Sequence, residues 1–174
     1  DISIYKYGIH IGIEMICCIG VALGIAVYLH RFAEFTLFLA IFILLRTYTG
    51  GIHLKNFWSC FICSVIVQIG ILLGSDIYQF SIGVSLSVIG VCLLIIFLVA
   101  PVESVNRLMG KEEKQYCRQA LLKIIIGIIV LTLIFAMSKN TRYISLIADT
   151  LAVIVVSAGI GLIKLNIESN RVEK

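Results

Sequence analysis

Between positions 46 and 60 the chain reads Arg46-Thr47-Tyr48-Thr49-Gly50-Gly51-Ile52-His53-Leu54-Lys55-Asn56-Phe57-Trp58-Ser59-Cys60. This stretch holds a thiol, an imidazole, a glycine pair and two cations. A cysteine nucleophile needs a base to form its thiolate, and neutral histidine is the usual one. On an unbroken helix a seven-residue separation gives a nearly matching face but a rise of ~10 Å, too far for a hydrogen bond. A His53–Cys60 dyad therefore requires the helix to break between them. Gly50 and Gly51 supply flexible backbone just upstream, and Asn56 is a good N-cap directly before an apolar run. This reading puts His53 on a loop that folds back and Cys60 in the first turn or so of the helix that follows. The first turn of a helix carries free N–H groups and partial positive charge. Both favour a thiolate, as does a nearby imidazolium or Lys55. The same N–H groups would hold the oxyanion of a tetrahedral intermediate. The chemistry that fits is acyl transfer.

The plainer readings of the same residues are packing and anchoring. Cysteine in an apolar run is usually a small buried hydrophobe, which is the expectation for Cys17, Cys18, Cys63 and Cys92. Cys63 lies one turn deeper than Cys60, and Cys117 has no histidine near it in sequence. His10 and His30 adjoin apolar runs and read as interfacial. There is no His-Glu-x-x-His and no Gly-x-Ser-x-Gly. Asp76 and Asp149 read as helix-end acids rather than an aspartyl dyad. Ionisable groups in or beside membrane spans are functional candidates by default. Lys123 snorkels to the interface, and Glu14 has no such simple explanation. No metal and no cofactor is expected.

These side chains must be positioned by membrane helices. The chain has 174 residues, 60% hydrophobic and 14% charged, with one proline and a mean hydropathy of +1.09. An average soluble domain is roughly a quarter charged, and one of ~150 residues buries only about 70% of its surface. The composition excludes a soluble enzyme, a nucleic-acid-binding domain, a disordered chain and a disulfide scaffold. The expectation is an all-α, polytopic integral membrane protein forming a single transmembrane domain over 1–174. About six spans are expected, at 11–29, 32–45, 57–73, 80–99, 121–137 and 144–163, with a short second helix. The second run has only 14 residues against about 20 needed for a full span, so a short tilted span and a re-entrant helix are both open. No cleavable signal peptide is expected, because the first apolar run lacks a basic leader and a small-residue cleavage site.

Charge sets the orientation. With six spans and both termini cytoplasmic, Arg31, Lys139 and Arg142 fall outside and the other Lys and Arg of the chain's 14 fall inside. The bias supports crossing by the second run. The two hydrophilic connectors, 46–56 and 101–119, then lie on the inner side. The second contains Lys111-Glu112-Glu113-Lys114 and reads as a surface helix running into the fifth span. The Gly8/Gly12, Gly20/Gly24 and Gly70/Gly74 spacings allow close helix packing.

The pattern Arg46-x3-Gly50-Gly51-x-His53-x6-Cys60 resembles the signature of the accessory gene regulator B family, bacterial membrane cysteine peptidases that process quorum-sensing peptide precursors. Ala100-Pro101-Val102-Glu103-x2-Asn106-Arg107 is similar to that family's second segment. The likeness extends over essentially the whole chain. It departs where members often carry Asp and Asn-Lys-Pro, against Glu103 and Asn106-Arg107-Leu108 here. The resemblance implies Cys60 and His53 as catalytic residues. Glu103, Asn106 and Arg46 are candidates for orienting or oxyanion support, and Gly50, Gly51, Lys55, Arg107 and Lys111 for binding substrate. It further implies an endopeptidase in which Cys60 attacks a precursor carbonyl and the C-terminal part leaves. A Cys or Ser of the peptide then takes the acyl group, giving a cyclic thiolactone or lactone. The expected partners are a small amphipathic precursor with an acidic C-terminal tail, the lipid bilayer and a second copy in a homodimer, with no nucleic acid. The expected location is the bacterial cell membrane, with the site on the cytoplasmic side. The rival classes are a small transporter, hinted at only by Glu14, and a non-catalytic membrane subunit built for helix packing.

Overall fold

The computed structural model describes residues 2–49, 57–77, 80–100 and 110–172, and among them the chain forms six helices and no strand. They are α1 (Ile2–Tyr28), α2 (Phe32–Thr49), α3 (Phe57–Ile77), α4 (Ile82–Val99), α5 (Lys111–Met137) and α6 (Thr141–Val172). Helix α6 is the centre of the bundle and packs on α2, α3, α4 and α5, while α1 lies against α3 and α2. Its buried stripe Ile144, Ile147, Leu151 and Ile154 recurs at helical spacing and meets Ile89, Leu93 and Ile96 of α4, Leu45 of α2 and Leu121 of α5. Ala22 and Ala26 let α1 approach Phe35 and Leu72 closely. Across the α4–α6 seam the fully buried Ser85 and Ser145 hydroxyls are 3.3 Å apart and satisfy each other.

The outward faces are apolar as well. Leu98 is 69% exposed and Ile126 59% exposed. Bundle surfaces of this kind suit lipid, where helices satisfy their own backbone. Among the described residues, four helices are long and apolar enough to cross a membrane, over Phe32–Thr49, Ile82–Val99, Lys114–Met137 and Thr141–Ile163. Helices α1 and α3 add the shorter apolar stretches Ile19–Tyr28 and Ile62–Gly74.

Helix α2 is short, at 18 residues, yet it runs past the apolar run 32–45 to Thr49. That length is about 27 Å of helix, close to the ~30 Å hydrocarbon core. Just before its start, Arg31 Nη1 donates to the carbonyl of Leu72 near the end of α3, at 3.3 Å. Near its end, Arg46 donates to the Ser157 hydroxyl in the C-terminal half of α6. The helix therefore traverses the bundle rather than turning back. Helix α5 is continuous from Lys111, so the charged segment does run into the fifth span as expected.

Connection lengths divide the two ends. At one end α1–α2, α3–α4 and α5–α6 are separated by only a few residues each. The first and last share one device. His30 N–H donates to Val27 and Arg31 N–H to Ala26, and Lys139 N–H donates to Ala136 and Asn140 N–H to Phe135. Each is a Schellman motif with its left-handed residue at His30 (φ 55°) or Lys139 (φ 53°). His30 thus serves as a helix terminator, which explains its place beside an apolar run. The longer connections, α2–α3 and α4–α5, are at the opposite end.

The short-turn end is also clamped electrostatically. Glu34 is only 7% exposed, and its Oε1 lies 3.1 Å from Arg142 Nε at the start of α6. Burial and then the Arg142 charge push the Arg31 guanidinium below its ordinary value, and Glu34 pulls it back up. Glu34→Gln should cost about 1–3 kcal/mol, because a nearly buried charged partner is lost while the Arg142 guanidinium stays partly enclosed. Thermal unfolding in detergent checks this. An unchanged midpoint would mean that the pair contributes nothing measurable.

Candidate functional site

Helix α3 begins at Phe57, immediately after Asn56, and Cys60 is therefore its fourth residue, in the first turn. Cys60 shares a register on α3 with Val67 and Ile71, seven and eleven residues on, within about 20° of the same direction. Val67 and Ile71 pack against Phe38 of α2 and Leu146 of α6. Val67 and Ile71 therefore mark the stripe of α3 that faces the bundle. Cys63 lies off that stripe, being exposed together with Ile62 and Ile66. The expectation that the span cysteines are buried holds for Cys92 and fails for Cys17 and Cys63, both exposed. In lipid an apolar thiol loses little by facing outward.

Arg46 lies on the last turn of α2, half-buried, and its hydrogen bond to Ser157 ties that turn to α6. Thr49, the last residue of the helix, is 1% exposed. The end of α2 is therefore fixed just before the chain enters Gly50. On α5, Lys111 opens the helix, and Arg118 stands two turns on with its guanidinium 5.3 Å above the Phe97 ring of α4. Cys117, half-buried, is on the same stretch. Between the ends of α2 and α4 and the facing part of α6 is an apolar hollow of about 100 Å³. All of these features belong to the end with the long connections.

His53, Gly50, Gly51, Lys55, Glu103, Asn106 and Arg107 lie outside the described residues, and Cys60 and Lys111 are described through their backbone. Arg46 near the end of α2 and Lys111 at the start of α5 lie on helices that pack on one another, while α3, whose first turn holds Cys60, packs on α1 and α6. Asp149 lies in the third turn of α6, half-buried, and so is not the helix-start acid that the sequence suggested.

Ser157 was not legible as a site residue. Its partner is 111 residues away, and a serine in an apolar run has no distinguishing spacing. The only signal is indirect, since an arginine at the inner end of a span needs a partner from another helix. Glu34 gave a weaker sign, as an acid three residues after Arg31 at a helix start.

Six helices with apolar outward faces and polar groups gathered at their ends define a polytopic helical membrane protein. The sequence model of accessory gene regulator B matches residues 1–163, and the chain belongs to that family, which is linked to processing of quorum-sensing peptides. No curated protein and no solved structure matches it.

Proposed function

We propose that this protein is a membrane cysteine endopeptidase that cleaves a small precursor peptide through a thioester on Cys60, with His53 as base and then acid, and releases a cyclic autoinducing peptide. The observation that carries the reading is the position of Cys60, the fourth residue of α3 and so in its first turn. There the free N–H groups and the helix dipole favour both thiolate and oxyanion. His53 is four residues upstream of the helix start, so the connector is long enough to bring an imidazole back to the first turn.

In the reaction, the Cys60 sulfur bonds to the precursor carbonyl carbon, and the amide C–N bond breaks. His53 passes its proton to the leaving amine. Attack on the thioester by a thiol or hydroxyl of the same peptide closes the ring and returns the Cys60 thiol. Thioester exchange keeps the acyl group activated, so no ATP is needed, provided water is excluded and the two ends of the ring are held together. With the long-connection end and both termini on the cytoplasmic side, the cations Lys55, Arg107 and Lys111 meet the acidic tail of the precursor. The amphipathic part of the precursor lies on the membrane. Salt-sensitive binding of the precursor supports that contact, and salt-independent binding contradicts it.

The reading is tested by iodoacetamide labelling of the protein in membranes at neutral pH. Cys60 should label fastest of the six cysteines, and His53→Ala should remove that advantage. Equal labelling of all cysteines favours the transporter or packing-subunit class.

A further inference from the structure

The hollow at the long-connection end has a composition that the proposed chemistry does not by itself require. Its walls come from Thr49 of α2, Ile96 and Ala100 at the end of α4, and Val155, Ala158 and Gly159 of α6. Among the described residues none that lines it is charged, and the small residues Ala100, Ala158 and Gly159 leave it open. A Cβ built at Gly159 meets nothing within 4 Å. An apolar cavity somewhat larger, about 150 Å³, stays dry and takes up benzene, so a hollow of about 100 Å³ suits an aliphatic side chain.

Its place in the chain is as telling as its size. Thr49 continues directly into the connector that carries His53, and Ala100 continues into the one that carries Glu103 and Asn106. Two of its walls thus end where the candidate catalytic segments begin. Beside Ile96, Phe97 carries the Arg118 guanidinium. The Arg118 cation of α5 therefore lies against the α4 residue next to the recess-lining Ile96.

We propose that this hollow is the subsite for one aliphatic side chain of the processed peptide, fixing its register relative to Cys60; this rests on the reading of Cys60 as nucleophile. An apolar recess discriminates by size, with one methylene worth about 10–200-fold.

The test uses the full chain in membranes and five probes, the chloromethyl ketone of an alanine tetrapeptide and four versions with one alanine replaced by leucine. One leucine position should speed alkylation of Cys60 about tenfold, and Gly159→Leu should abolish that preference. Gly159→Ala, a milder change that also favours the helix, should reduce it. Iodoacetamide labelling of Cys60 should be unchanged in both variants, which shows that they remain folded. If no leucine position accelerates the reaction, or if the acceleration survives Gly159→Leu, the subsite is overturned while Cys60 stands. The same holds if the rates depend on bilayer acyl-chain length and not on leucine, the sign of a lipid chain in the hollow. If iodoacetamide shows no preference for Cys60 in the unsubstituted protein, the reading beneath it fails instead.

Discussion

Cys60→Ser and His53→Ala should each stop processing of the precursor while leaving the protein inserted in the membrane at normal levels. Removing a positioned base costs about 10²–10⁴-fold, and a serine hydroxyl in place of the thiolate is a far poorer nucleophile at neutral pH. The two losses should not add. Without His53 the thiol is no longer activated, so the double variant should be no worse than Cys60→Ser alone. Membrane insertion is expected to survive because the bundle is built around α6. Its core of Ile144, Ile147, Leu151 and Ile154 contains neither residue. Cys63→Ser should be silent, since Cys63 faces outward. Processing retained by Cys60→Ser would remove the dyad. The measurement is gel mobility of the co-expressed precursor beside a blot of the membrane fraction.

Arg46→Ala should produce the second large loss, about 10–100-fold in processing, through position rather than chemistry. Arg46 donates to Ser157 and so fixes the end of α2 one turn before the His53 connector begins. A hydrogen bond to a charged group contributes about 1.5–3 kcal/mol, and a displaced connector moves the base from its partner, where 1 Å of misplacement can cost 10²-fold. Arg46 is therefore a positioning residue on this account. Ser157→Ala should give a smaller loss in the same parameter, kcat, with KM little changed. The double variant should be no worse than Arg46→Ala, because residues that act as one unit are not additive. Arg46→Lys should rescue only in part, since an ammonium lacks the guanidinium fork. If instead Ser157→Ala is silent while Arg46→Ala raises KM, Arg46 acts on the substrate directly.

Much of this architecture is legible in the sequence because lipid forces it. Long apolar runs must become helices, and six runs became α1 to α6. The start of α3 was readable from Asn56 and the run behind it, and the charged start of α5 from Lys111 to Lys114. The end of α2 was not, because hydropathy falls at Arg46 whereas the helix continues. Thr47 hydrogen-bonds back to the carbonyl of Ile43 at 2.8 Å, and Arg46 reaches Ser157, so both polar groups are satisfied without breaking the helix. The outward exposure of Cys63 was not readable either, because it depends on which side of α3 packs on the bundle, and that phase is set by Phe38 and Leu146 on other helices. The Glu34–Arg142 clamp and the hollow share this character. Each joins residues that neighbour one another only after packing.

In the proposed reaction the acyl group is carried on one sulfur. The measurement closest to it is the intact mass of the protein, acid-quenched within seconds of mixing with its precursor. The expected result is an adduct equal to the N-terminal fragment of the precursor, located on Cys60, released by neutral hydroxylamine, and absent from Cys60→Ser. Cleavage that proceeds with no hydroxylamine-sensitive adduct, or with the adduct on Cys63 or Cys117, would contradict it.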